Sequence, residues 1–172
     1  MLIGIDSPYV SGAGKSYICQ ILNDMGYDIV YSPQPVLDYA VESLRSKPAW
    51  MSDKVFKERF VRPIMNAMVG GEKISADRLE EIKQEFKGSF VFADSCRSIA
   101  EKCVCDYVFT VRSDRESVRP CTWHGCNDSG DYDIINNKST TYDDLKSELQ
   151  SVLSALLGEL KIENKANGVD YA

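Results

Sequence analysis

Met1-Leu2-Ile3-Gly4-Ile5-Asp6-Ser7-Pro8-Tyr9-Val10-Ser11-Gly12-Ala13-Gly14-Lys15-Ser16 reads as an apolar strand, a glycine-rich turn and the opening of a helix. That order is what a phosphate-binding turn needs. Successive backbone N–H groups of such a turn point inward and form an anion-binding concavity. The first turn of the helix adds unpaired donors and the positive end of its dipole. On this reading Ser11, Gly12, Ala13, Gly14 and Tyr17 lie along the phosphates, the Lys15 ammonium reaches the outer ones and the Ser16 hydroxyl ligates magnesium. The first glycine of G-x-x-x-x-G-K-[ST] falls on Tyr9, so either Tyr9 replaces it or Ser7 does that job in a longer loop.

Working outward, Ile18, Leu22 and Met25 give one apolar side to a helix over 14–25 that stops before Gly26. Tyr27 to Tyr31 is a short strand, and Pro33 and Pro35 precede a helix over 36–44. Ser52 looks like an N-cap to a helix carrying Phe56, Phe60, Ile64 and Met68, interrupted at Pro63. A charged helix over 75–86 presents Leu79, Ile82 and Phe86. Phe90-Val91-Phe92-Ala93 and Tyr107 to Val111 are continuous apolar runs, as strands buried on both faces of a parallel sheet require. A helix over 98–103 lies between them, and Tyr132 to Ile135 is a last strand. Thr141 and Asp144 form an acidic variant of the capping box, opening a helix that closes near Gly158. Strands alternating with helices imply a parallel sheet with crossovers, whose ligands sit beyond the strands' carboxyl ends. The turn after the first strand, Ser32, Asp94 and Arg112 should therefore converge on one cleft.

The chain has 172 residues, 44% of them hydrophobic and 27% charged, enough for one domain with a core. Residues 1–160 are expected to form it, with a polar segment over 112–131 as a mobile lid and a loose tail over 161–172. A net charge of −6 argues against a stable nucleic-acid partner. The start of the chain is short, uncharged and followed at once by Asp6, unlike a signal peptide, and no apolar run approaches a membrane span. The expectation is a cytoplasmic protein with no membrane contact, either monomer or homodimer. Six cysteines should then be reduced. Cys103, Cys105, Cys121, His124 and Cys126 lack zinc-ligand spacing, and Cys103 with Cys105 suits packing at a helix-to-strand junction.

Asp94, closing an apolar strand, suits a carboxylate that holds magnesium; its plainer role is to cap the next helix. Arg97 suits an acceptor phosphate, or equally a surface salt bridge to Glu101. Among Arg112, Arg115 and Arg119, at least one should meet the charge of a moving phosphoryl group. Arg59 and Arg62 are candidates for an acceptor phosphate, and Asp28 and Asp38 for an acceptor nucleoside.

Assembled, these residues resemble the P-loop nucleoside monophosphate kinases, most closely the viral deoxynucleoside monophosphate kinases and their dephospho-coenzyme A kinase relatives. The resemblance rests on Gly12 to Ser16, on Phe92-Ala93-Asp94-Ser95-Cys96-Arg97 with Glu101, on Thr110-Val111-Arg112 running into Arg115 and Arg119, and on Tyr132 to Ser139 followed by Tyr142 to Leu145. It implies a three-layer P-loop fold, an α/β architecture with a central parallel sheet flanked by helices. It also implies ATP and Mg²⁺ as co-substrate and cofactor, with a nucleoside monophosphate as acceptor. Lys15, Asp94, Arg115 and Arg119 would be catalytic. Arg115, Asn137 and Lys138 would join the ATP site, Ser16 and Asp94 the metal site, and Arg59, Arg62, Asp94 and Arg97 the acceptor site. A kinase for another small acceptor such as dephospho-coenzyme A, or a nucleotide-binding protein without turnover, is the alternative.

Overall fold

The computed structural model describes residues 1–7, 12–35, 38, 47–56, 59–60, 71–96, 98–116 and 130–166. Five parallel strands form its centre: β1 (Leu2–Asp6), β2 (Asp28–Tyr31), β3 (Val91–Asp94), β4 (Tyr107–Arg112) and β5 (Tyr132–Ile135). Their order across the sheet is β2-β3-β1-β4-β5. Ile5 pairs with both Asp94 and Phe109, so the carboxyl ends of β1, β3 and β4 line up along one edge. The helices are α1 (Lys15–Asp24), α2 (Asp53–Phe56), α3 (Gly71–Glu85), α4 (Ile99–Val104) and α5 (Tyr142–Ala166).

Strand side chains alternate between two faces, and each face has its own core. Ile3, Ile5, Phe92, Phe109, Val111 and Ile134 pack under α1 and α5, against Ile18, Leu22, Leu145 and Leu149. Leu2, Val91 and Ala93 face the other way, onto Leu79 and Ile82 of α3 and the end of α4. Apolar runs without polar interruption are what a strand covered on both sides needs. The chain is an α/β protein with helices on both faces of an all-parallel sheet.

Gly4 marks the tightest point of the second core. A Cβ there would stand 2.9 Å from Cys105 Sγ and 3.1 Å from Cys96 Sγ. Gly4→Ala is expected to cost about 1–3 kcal/mol by overpacking, read as a lower denaturation midpoint. Adding Cys105→Ala should recover part of it.

Most elements begin and end where the pattern placed them, with informative differences. The charged helix starts at Gly71 instead of Ser75, and the last helix runs past Gly158 to Ala166 instead of closing near it. A Cβ on Gly158 would meet nothing within 4 Å, so this glycine sits on an open helix surface with no terminating role. The tail expected over 161–172 is thus helical as far as Ala166. Ser52 caps α2 as read, its hydroxyl accepting from Val55 N at 3.3 Å. The Thr141 and Asp144 cap also forms, the Asp144 carboxylate accepting from Thr141 N at 3.0 Å. The helix read over 36–44 (Asp38 apart), the Pro63 break and the Cys121, His124 and Cys126 cluster lie outside the described residues. Of the remaining cysteines, Cys105 packs at the helix-to-strand junction, whereas Cys103 is exposed.

Candidate functional site

Beyond the end of β1, Gly12 and Gly14 both adopt left-handed backbone, with φ of 93° and 94°. Only glycine takes this conformation without strain. Gly14 is the N-cap of α1, and no side chain caps the helix or places an acid in its first turn. The positive end of the helix dipole therefore lies at the strand-end edge, with Lys15 and Ser16 as the first helical residues. Ala13 is fully buried beneath the turn.

Asn136, immediately after β5, braces this turn from the side. It is 1% exposed, and its Nδ2 donates to the Ala13 carbonyl at 2.6 Å. A Cβ on Gly14 would overlap that Nδ2. The same post-β5 segment is stitched to the segment after β4. Asp114 N donates to Asn137 Oδ1 at 3.0 Å and Lys138 N to Asp114 Oδ1 at 2.8 Å. The two segments expected to flank a nucleotide thus meet at the turn's own edge.

On the other side of β1, Asp94 ends β3 half-buried. Its Oδ1 accepts from Ser95 Oγ at 3.1 Å, and its carbonyl accepts from Ser32 N at 3.1 Å. Cys19, on the inner face of α1, reports how close the charges lie. Its thiol is pushed far up by burial first, then by the charge of Asp94 and a hydrogen bond to it, while Lys15 opposes the shift. Lys15 and Asp94 thus both act on one buried sulfur of α1.

Beneath this edge lies a polar network that inspection of the sequence alone does not reveal. Glu101, 3% exposed, accepts from Ser98 N at 2.8 Å and from the Ser32 hydroxyl. Ser98 Oγ returns an acceptor to Glu101 N at 3.1 Å, completing a capping box on α4. The spacing Ser98-x-x-Glu101 signals the capping box, though not the link to Ser32. Glu101 is consequently a buried hub tying the end of β2 to α4. Asp6, 2% exposed, accepts from Ser7 N at 2.7 Å and pairs with Lys102 Nζ at 2.6 Å, fixing the point where β1 gives way to the loop.

The remaining candidates divide. Arg112, at the carboxyl end of β4, pairs with Asp133 of β5 at 2.7 Å. Arg115 is half-buried, its amide donating to Ser113 Oγ at 3.2 Å. Tyr17, 40% exposed, stands edge-on to Tyr142 with centroids 6.3 Å apart. Arg59 is exposed beyond α2. Asp28 begins β2, at the opposite end of the sheet from the site, and is set aside as an acceptor contact. Asp38 accepts from Gln34 Nε2 at 2.6 Å and lines a cavity of about 360 Å³ with Tyr31, Ser32, Pro35 and Arg78. Tyr9, Ser11, Arg62, Arg97 and Arg119 lie outside the described residues. Among the described residues, no cluster of three or more His, Cys, Asp or Glu side chains could hold a metal ion, and no helix is long and apolar enough to cross a membrane.

No family model matches the chain, and no curated protein matches it. Among solved structures it is similar to the crystal structure of TT1252 from Thermus thermophilus, with a TM-score of 0.52 and 15% identity over 91% of this chain and 97% of that one. At that identity the likeness is one of fold: both chains share the α/β architecture with a central parallel sheet.

Proposed function

We propose that this chain is a P-loop kinase moving the γ-phosphoryl group of ATP to a nucleoside monophosphate, with a deoxynucleotide as the expected acceptor. One observation carries the reading. The left-handed turn of Gly12 and Gly14 opens α1 at Lys15 and Ser16, while Asp94 closes the neighbouring strand beside them. Backbone donors, an ammonium, a hydroxyl and a carboxylate are the set that phosphoryl transfer uses.

In this mechanism the first-turn amides and Lys15 hold the β- and γ-phosphates. Arg115, with Arg119, meets the charge on the transferring group. Arg97, with Arg59 or Arg62, holds the acceptor phosphate. That acceptor oxygen is already ionised at neutral pH, so no general base is needed. Ser16 and Asp94 supply hard oxygen ligands, which fit Mg²⁺ held mainly through phosphates and water. The bound ion would neutralise charge on the phosphates and align them.

Asp38 favours a second reading. A carboxylate on a cavity at the end of β2 could serve as base toward a hydroxyl acceptor, as in a dephospho-coenzyme A-like kinase. ADP release from ATP and magnesium, measured with each nucleoside and deoxynucleoside monophosphate in turn, separates the readings. Stimulation by one or a few monophosphates is expected. Stimulation by dephospho-coenzyme A alone would select the second reading, and ATP binding with no stimulation by any acceptor would indicate a binding protein without turnover.

A further inference from the structure

Cys96 and Cys105 lie with their sulfurs 3.6 Å apart on the face of the sheet opposite α1. Both rest on Gly4, the one position in β1 where a missing Cβ leaves them room. Their backbones are pinned to the same strand: Cys96 N donates to Ile5 O at 3.1 Å, and Asp106 N to Leu2 O at 2.8 Å. The two sulfurs are therefore held together by β1 itself. Cys96 is buried and Cys105 is half-buried. We propose that Cys96 and Cys105 form a reversible redox modification site, which a low-molecular-weight disulfide oxidant closes to an intramolecular disulfide that resets the strand end carrying Asp94.

Bond formation requires the sulfurs to approach from 3.6 Å to about 2.0 Å. The missing Cβ of Gly4 leaves room for that approach. The half-buried Cys105 thiolate attacks one sulfur of oxidised glutathione, breaking its S–S bond and releasing one glutathione thiolate. Cys96 then loses its proton and attacks Cys105 Sγ, displacing the second glutathione. Two protein thiols are oxidised and one glutathione disulfide is reduced to two thiols.

Closure reaches the candidate site through two short paths. Cys105 Sγ now donates to the Glu101 carbonyl at 3.4 Å, and must leave it. Glu101 is the hub that holds Ser32, whose amide in turn holds the Asp94 carbonyl. On the other path, Cys96 is separated from Asp94 only by Ser95, a non-glycine residue with φ of 64°. Such a residue is strained and has a relaxed alternative to move toward.

The full chain, incubated with oxidised glutathione, tests this by intact mass and peptide mapping under non-reducing conditions. The expected product has lost two hydrogens, carries a Cys96–Cys105 linked peptide and reverts with dithiothreitol; Cys105→Ser gives no such product. A glutathione adduct persisting on Cys105, a bond from Cys105 to any other cysteine, or a pair left as thiols when unfolded chain oxidises would each overturn the proposal. The effect on turnover rests on the kinase reading. There, acceptor-stimulated ADP release should fall at least about tenfold on closure and return on reduction. Closure without that loss would overturn the resetting of Asp94, while a wild-type chain inactive before oxidation would count against the kinase reading alone.

Discussion

Lys15→Ala is expected to lower acceptor-dependent phosphoryl transfer by about 10²–10³-fold, the usual cost of removing one preorganised cation or donor from a developing charge. The substitution falls in the first turn of α1, where alanine is the best helix former, so the helix should persist. Lys15 is half-buried at the strand-end edge and takes no place in either apolar core. Circular dichroism and the thermal midpoint should therefore be close to those of the parent while turnover collapses. A loss of fold in parallel with activity would mean that Lys15 is a structural residue instead.

Gly14→Ala should fail for a different reason, and on both counts. Alanine at φ 94° incurs a left-handed backbone penalty of about 1–2 kcal/mol. Its Cβ also displaces the Asn136 amide from the Ala13 carbonyl. Stranding those buried groups adds about 1–3 kcal/mol. The expected sum is about 3 kcal/mol in denaturant unfolding, together with loss of nucleotide binding. Because one contact is counted in both losses, Gly14→Ala and Asn136→Ala should be less than additive. A double-mutant cycle measures that coupling directly. Strict additivity would show that Asn136 does not brace the turn.

The architecture was legible because it depends on short-range signals. Phe90 to Ala93 and Tyr107 to Val111 have no polar interruption, which is enough to mark strands covered on both faces. Gly12 and Gly14 announce a backbone that other residues resist, and Thr141 with Asp144 announces a helix start. The start of α3 and the end of α5 were misread because local punctuation competes poorly with packing. Gly158 breaks the pattern on paper, yet it sits on an open face of a helix whose buried leucines already fix it. At the candidate site, the placement of Lys15 and Asp94 beyond neighbouring strands was readable. The brace from Asn136 and the hub at Glu101 were not, since each joins residues far apart in the chain: Asn136 to Ala13, Glu101 to Ser32. Arg112 looked equivalent to Arg115 in sequence, and only the position of Asp133 across the β4–β5 pair separates them.

The most direct test of the central claim is transfer of label from γ-labelled ATP, with magnesium, to deoxynucleoside monophosphates, run beside Lys15→Ala. The account predicts a labelled deoxynucleoside diphosphate with one or a few acceptors, and almost none from the variant. ATP bound tightly by the parent, with no label reaching any monophosphate, would contradict it.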